Sequence, residues 1–367
     1  MKVAIVHDYL NQFGGAERTV LAMHEAFPEA PIFTSIYNRA GLPKAFSEMD
    51  IRTTFMQRFP WVMKHYKSYL PIYPAAFASI KLDDYDVILS SSSAFAKGVK
   101  NDHGALHICY CYNPMRFVWR YEDYIRSEQI PLFLKRLLPL YLRQLKMWDV
   151  RTSAKVDHFV AISTVVARRI LQFYGRDSEI IYPPVETGQF SISNEIEDYY
   201  LVVSRLKAYK RIDLVVEAFN KIGKPLKIVG EGDHGAVLRK MARSNIEFVG
   251  AASDEKLAHY YSRCRALIFP GEEDFGIVPV EAMASGRPVI AFGVGGALET
   301  VIDGETGLFF NAQTSDALIE AVQRSEKMSF DSRKIREHAR SFSKETFKAN
   351  IKAFVEKKYA LFSKKTE

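Results

Sequence analysis

From Tyr199 onward, short apolar runs alternate with amphipathic stretches at a spacing that few folds can satisfy. These runs, apolar but for Lys227, Glu247 and the terminal Ser204, are Tyr199–Ser204, Leu226–Val229, Ile246–Val249, Ala266–Phe269, Val289–Ala291 and Gly307–Phe309. Each is too short for a buried helix and reads as a strand covered on both faces. Helical patterns separate them at about Lys210–Ile222, Gly235–Arg243, Ser253–Arg263, Ile277–Ser285 and Ala297–Ile302. Strands joined through helices run parallel, so this half predicts a doubly wound α/β sheet. Ligands of such sheets seat at the carboxyl ends of the strands.

The first half repeats the alternation less evenly. Its strands are expected at Val3–His7, Ile32–Ser35, Val87–Ser90, His107–Cys111 and His158–Ile162, with a helix starting near Gly15-Ala16-Glu17. The segments Ala45–Ala78 and Tyr121–Arg151 read as helical excursions. At 367 residues two domains are the default. Pro183-Pro184, a stiff extended connection followed by the acidic stretch Ser191–Asp198, marks the boundary. The expected domains are 1–183 and 184–343. The C-terminal stretch Lys344–Phe362 reads as one amphipathic helix, and 344–367 is expected to pack back on the first domain.

Three cysteines, Cys109, Cys111 and Cys264, lie in apolar runs, which suits a reducing compartment without structural disulfides. Met1 runs straight into a strand pattern without a signal peptide, and no apolar run reaches the roughly 18–20 residues of a membrane span. A cytoplasmic location is expected. Residues 51–155 hold sixteen Lys/Arg against eight Asp/Glu, which accounts for the net charge of +7. These cations interleave with aromatics and leucines at Phe55–Lys67 and Pro131–Tyr141. Such a surface suits anionic lipid headgroups at the inner face of the cell membrane, or is the solvated face of a helical insertion. No nucleic-acid-binding motif accompanies it, so nucleic acid is not an expected partner.

Several constellations carry chemistry. Glu273 and Glu281 bracket a strand–loop–helix junction, Gly271 to Glu281, where backbone N–H groups and carboxylates can hold a diphosphate and sugar hydroxyls. Arg205 and Lys210 follow Ser204 at the end of the first strand of the second domain, where two cations can neutralise a diphosphate. Gly230 and Gly232 flank Glu231 and would allow close backbone contact with a ligand, with Glu231 orienting a cation. In Phe248-Val249-Gly250-Ala251-Ala252-Ser253-Asp254, the backbone and Asp254 offer groups for a nucleobase edge. Helix capping by Asp254 or Ser253 is the competing reading, and capping is favoured for Asp254. Gly14-Gly15 opens a helix after the first strand, a weak phosphate signal that is not the dinucleotide fingerprint. Asp84-Tyr85-Asp86 precedes a strand and reads as turn chemistry rather than a metal pair. No metal site is expected.

With these residues assembled, the chain resembles the retaining glycosyltransferases of family 4 over nearly its whole length. The most specific part is the E-x7-E pattern from Glu273 to Glu281. Val6-His7-Asp8-Tyr9, Gly14-Gly15-Ala16-Glu17 and the stretch Cys109–Phe117 look closest to O-antigen-type mannosyltransferases. The resemblance implies the GT-B fold, two Rossmann-like doubly wound domains facing a cleft. It implies a nucleotide-sugar donor, GDP-mannose favoured, with no cofactor, and a glycan or lipid-linked oligosaccharide acceptor bound by the first domain. Arg205 and Lys210 would clamp the diphosphate with the Gly14-Gly15 backbone. Glu273, Asp274 and the Phe275-Gly276-Ile277-Val278 backbone would hold the sugar, and Glu281 the ribose. The base would lie near Glu231 and Phe248 to Asp254. One departure is Tyr112, which stands where many relatives carry a histidine, so His107 and Arg116 are the other candidates on the acceptor side. A non-catalytic nucleotide-sugar-binding protein and a sugar-nucleotide epimerase are the rival expectations.

Overall fold

The computed structural model describes residues 1–119 and 132–366. The chain forms two compact units, Met1–Pro183 with Phe347–Glu367, and Pro184–Thr346.

The first unit holds seven parallel strands: β1 (Val3–His7), β2 (Ile32–Thr34), β3 (Ile51–Thr53), β4 (Val87–Ser92), β5 (Leu106–Cys111), β6 (His158–Ala161) and β7 (Ser178–Ile180). Their order is β3-β2-β1-β4-β5-β6-β7, so the winding reverses between β1 and β4. β1 is buried along its whole length because strands flank it and helices cover both faces. β3 and β7 are short edge strands whose exposed residues broke the apolar pattern. The expected helical excursion over Ala45–Ala78 is therefore corrected. It contains β3 and then mostly 3-10 turns, with short α-helical pieces at Val62–His65 and Tyr73–Ala78. Of the excursion Tyr121–Arg151, a helix covers Leu132–Ser153, whereas 120–131 and the side chains of 132–137 lie outside the described ones. That gap takes in most of the basic run Pro131–Tyr141.

The C-terminal helix Lys344–Thr366 packs on the first unit from Phe347 onward. Phe347 meets Tyr110 edge-on at 5.6 Å, and Lys348 binds Glu25 at 2.9 Å.

The second unit holds six parallel strands: β8 (Tyr200–Val203), β9 (Leu226–Val229), β10 (Ile246–Gly250), β11 (Leu267–Phe269), β12 (Val289–Phe292) and β13 (Gly307–Phe310). The order β10-β9-β8-β11-β12-β13 reverses between β8 and β11. The helix Ile212–Ile222 buries Ile212, Val215, Val216 and Phe219 against this sheet and stops at Gly223, whose φ of +68° suits glycine. Phe219 packs edge-on to Tyr200 at 5.3 Å, and its burial contributes about 2–3 kcal/mol. No helix among the described residues is long and apolar enough to cross a membrane.

Candidate functional site

The reversal between β8 and β11 brings the strongest motif residues of the second unit to one sheet edge. β8 runs into Ser204-Arg205 and a 3-10 turn at Ala208–Lys210, and β11 runs into the loop from Pro270 to Gly276. The Lys210 ammonium hydrogen-bonds the Glu273 carboxylate, and the two side chains are only 13% and 27% exposed. Two residues 63 positions apart thus share one polar spot at the crevice where open α/β sheets take ligands. Arg205 stays exposed beside them, its Nη2 donating to the Tyr209 hydroxyl at 3.4 Å.

The turn that presents Lys210 is held from outside. Arg211 adopts a left-handed conformation at φ +55°, which costs a side-chain-bearing residue about 1–2 kcal/mol. Its Nη1 donates to Gln313 Oε1 at 3.0 Å, and Gln313 Nε2 donates to the Pro270 carbonyl at 3.0 Å. Gln313 therefore ties the β8 loop to the β11 loop. Nothing in the local sequence marks it, because its role depends on a contact across the sheet.

Glycines set the floor of this edge. A Cβ on Gly230 would collide with the Ser204 carbonyl, and one on Gly232 with that of Leu206. Gly295 and Gly296, after β12, lie under the Glu273–Phe275 backbone with no room for a side chain, and Gly296 N donates to Glu273 O at 2.8 Å. At Gly230 and Gly232 the backbone of the neighbouring loop occupies the place of a side chain. Their missing side chains are spent on loop-to-loop packing. The paired glycines 295 and 296 were a legible signal that the sequence reading passed over.

The helix Ile277–Ala284 starts after Gly276, at φ +97°. Phe275 is buried and edge-on to Phe342 at 5.7 Å, so its side chain belongs to the core. Asp274, Ile277 and Val278 are half-buried around it. Glu281, one turn into the helix, accepts a hydrogen bond from the Tyr261 hydroxyl at 2.8 Å. Burial, reinforced by the Glu281 charge, pushes the Tyr261 pKa well above the ordinary tyrosine value, so the hydroxyl remains a donor at any working pH. If Glu281 holds a ribose, Tyr261→Phe should weaken nucleotide binding about 5- to 20-fold by removing a hydrogen bond that orients the carboxylate. Isothermal titration with GDP measures this, and unchanged affinity would remove Glu281's orientation from the account.

Residues assigned to a base lie along the ends of β9 and β10. Glu231 is exposed beside Gly250, and Phe248 packs on the core under the Arg239 guanidinium. Val249 and Ala252 are half-buried. Ser253, whose Oγ accepts from Lys256 N, is the helix cap, and Asp254 is the first helical residue, so the capping role expected of Asp254 belongs to its neighbour.

In the first unit, the β1–β4 reversal is built around Asp8. Its buried carboxylate accepts from the backbone N–H groups of Ser93, Ala94, Phe95 and Ala96 and from the Ser93 hydroxyl, at 2.6–2.9 Å. Gly14 caps the helix Gly15–Ala26, but its N–H already donates to Glu17 Oε2 at 2.8 Å. Only the amides beyond it remain for an anion. Tyr112 is half-buried, and its hydroxyl donates to the Ala16 carbonyl at 3.0 Å and meets Ser91 Oγ at 2.8 Å. It pins the start of that helix.

His107 departs from expectation. It lies near the amino end of β5, fully buried, with Nε2 2.8 Å from Ser90 Oγ. Burial and then the Lys97 charge lower its pKa to about 4. A neutral, enclosed ring far from the carboxyl edge is a core residue, not an acceptor contact. Arg116 is exposed at the start of a short helix after β5. Asp86, of the Asp-x-Asp pair, accepts from Lys2 N at 2.7 Å, a long-range contact to the start of the chain. Among the described residues, no three His, Cys, Asp or Glu side chains converge as metal ligands.

Residues 187–345 match the family model described as glycosyl transferases group 1, and residues 13–189 match that of glycosyltransferase family 4. An uncharacterized glycosyltransferase of Methanocaldococcus jannaschii is 31% identical over 160 residues, 42% of this chain and 43% of its own length. The chain thus spans less than half of that relative. O-antigen chain mannosyltransferase C of Escherichia coli is 24% identical over 386 residues, 95% of this chain and 94% of its own. In structure, the chain is similar to the sucrose-phosphate synthase of Thermosynechococcus elongatus, with a TM-score of 0.75 at 19% identity, covering 98% and 100% of the two chains.

Proposed function

The chain belongs to glycosyltransferase family 4, with its GT-B fold, and from that premise we propose that it is a retaining transferase using a nucleotide sugar, with GDP-mannose as donor. The observation that carries the reading is the Lys210–Glu273 pair at the β8–β11 reversal. A diphosphate entering there meets Lys210 and Arg205, while Glu273 and the amides at the start of the Ile277–Ala284 helix face the sugar. Glu281 takes the ribose hydroxyls, and the base lies by Glu231 and Phe248 to Asp254. Charge stabilisation of the leaving diphosphate does most of the work, and retention leaves the acceptor proton to the departing phosphate. The reaction proposed is metal-independent and uses no cofactor. The mannose assignment draws on relatives such as the Escherichia coli mannosyltransferase, and the acceptor is a glycan or lipid-linked oligosaccharide.

A panel of nucleotide sugars read by thermal shift tests the donor. GDP-mannose at 100 times its dissociation constant should stabilise the protein by about 2.7 kcal/mol. Stabilisation by UDP-sugars alone would replace the donor, and none by any would sink the transferase reading. Product analysis without acceptor separates transfer from epimerisation.

The basic face of the first unit supports docking to anionic lipid. Trp61 is 79% exposed and Phe55 43%, with Arg58, Lys64 and Lys67 exposed around them. Trp61 also adopts φ +50°, an unfavourable conformation for a bulky side chain. An exposed indole among cations suits a headgroup interface. Cosedimentation with phosphatidylglycerol vesicles should fall at least tenfold in Trp61→Ala/Arg58→Glu. Unchanged cosedimentation would remove this surface from the account.

A further inference from the structure

We propose that His7 receives the attacking hydroxyl of the acceptor, an inference that rests on the transferase reading above. His7 is the last residue of β1, paired with Thr34 of β2 and Ser91 of β4, so it stands at the carboxyl edge where the first sheet reverses. Its Nδ1 lies 3.1 Å from the Ser91 carbonyl oxygen and 3.0 Å from Ser91 Oγ. A carbonyl only accepts, so Nδ1 carries a proton, and in the neutral ring the lone pair is then on Nε2.

The chain of bonds beyond Nδ1 has one consistent direction. Tyr112 spends its proton on the Ala16 carbonyl, so Ser91 Oγ donates to Tyr112 and accepts from His7. Each hydroxyl is used, and the relay ends on a backbone carbonyl. Tyr112 is left with no proton to offer a substrate, which accounts for what a tyrosine does at that position. Asp8, the adjacent carboxylate, is saturated by the loop after β4. The ring nitrogen Nε2 is therefore the basic atom left over.

No described residue bonds Nε2. Although His7 is only 2% exposed, Nε2 is absent from the sealed, unpaired polar atoms of the described residues, so the small accessible area of the ring includes it. An enclosed imidazole with one nitrogen fixed by the backbone and the other left unbonded is a preorganised hydrogen-bond acceptor. A sugar hydroxyl donating to Nε2 would have its oxygen lone pairs oriented outward, toward an electrophilic carbon. His7 holds the hydroxyl up to the moment of attack and forms no covalent bond; as the oxygen bonds to the donor sugar carbon and the diphosphate leaves, the proton passes from the Nε2 hydrogen bond to the departing phosphate.

The test compares His7→Asn, which keeps an N–H donor toward Ser91 but removes the Nε2 atom, with His7→Gln, whose amide reaches about as far as Nε2. With GDP-mannose and p-nitrophenyl α-mannoside, His7→Asn should lose about 100-fold in kcat/KM for the acceptor. GDP-mannose affinity, slow donor hydrolysis by water and the melting temperature should stay at wild-type values, and His7→Gln should recover part of the transfer rate. Wild-type transfer by His7→Asn overturns the assignment, as does a loss of hydrolysis in proportion to transfer. If His7→Asn fails to fold, the same comparison is made with His7→Gln against wild type, and acceptor kcat/KM that falls no further than hydrolysis overturns it. A wild-type protein that transfers no sugar from any donor overturns the underlying transferase reading instead, and is told apart because it precedes any variant.

Discussion

Lys210→Ala and Glu273→Ala should each lower kcat/KM by about 10²–10³-fold with the melting temperature nearly unchanged. Without a ligand, the Lys210 ammonium rests on the Glu273 carboxylate at a partly desolvated spot. On the proposed reading, a diphosphate would give the ammonium a more highly charged partner and release Glu273 toward the sugar. Each residue therefore has one role in the resting pair and another in the loaded site. Because the roles are linked, the double variant Lys210→Ala/Glu273→Ala should lose far less than the product of the single losses. Steady-state kinetics with GDP-mannose, together with calorimetric melting, measures both quantities. Single variants that retain full activity would refute the site, and strictly multiplicative losses would refute the coupling.

The largest expected loss of stability lies elsewhere, at Asp149. Lys97 and Asp149 form an ion pair with side chains 2% and 0% exposed. Asp149 also accepts from Trp119 Nε1 at 2.7 Å and from the Tyr174 hydroxyl at 2.8 Å, and Lys97 donates to the Ala94 carbonyl at 2.8 Å. Burial works against the Lys97 charge, yet the Asp149 carboxylate more than offsets it and holds the lysine pKa above its ordinary value. Asp149→Ala would leave a buried ammonium and two orphaned donors, at a cost of about 3–5 kcal/mol. For a unit of this size that lowers the melting temperature by roughly 10 °C. Adding Lys97→Met should restore most of it, since an apolar pair leaves no unpaired charge. A change below about 1 kcal/mol in Asp149→Ala, read by chemical denaturation, would contradict the pairing.

The sequence was most legible where burial is two-sided. Val3–Val6 of β1, β11 and β12 stand out as continuous apolar runs because helices cover both faces. β3 and β7 were hidden because their residues are half-buried or exposed, and β3 was absorbed into an apparent helical excursion. In the site, Glu273, Lys210 and Glu281 were visible from charge placed at strand ends. Gln313 was not, since its meaning comes only from bridging Arg211 and Pro270 across the sheet. His107 misled because a histidine next to a motif reads as reactive until its burial is seen. His7 was quoted only within Val6-His7-Asp8-Tyr9, where a single histidine carries no signal until the Ser91–Tyr112 relay fixes its tautomer.

Gly230, Gly232, Gly295 and Gly296 divide the nucleotide edge into two kinds of position. At those four, any side chain collides with the backbone of a neighbouring loop, so substitution alters the shape of the edge itself. At Glu231, Ala252 and Asp254 the side chain is exposed or half-buried beyond that floor, and substitution alters only what projects from it. Random mutagenesis should therefore yield changed nucleobase preference from the second group in proteins that still melt as the wild type does. The first group should yield only loss. The scaffold can keep its geometry while its substrate range drifts.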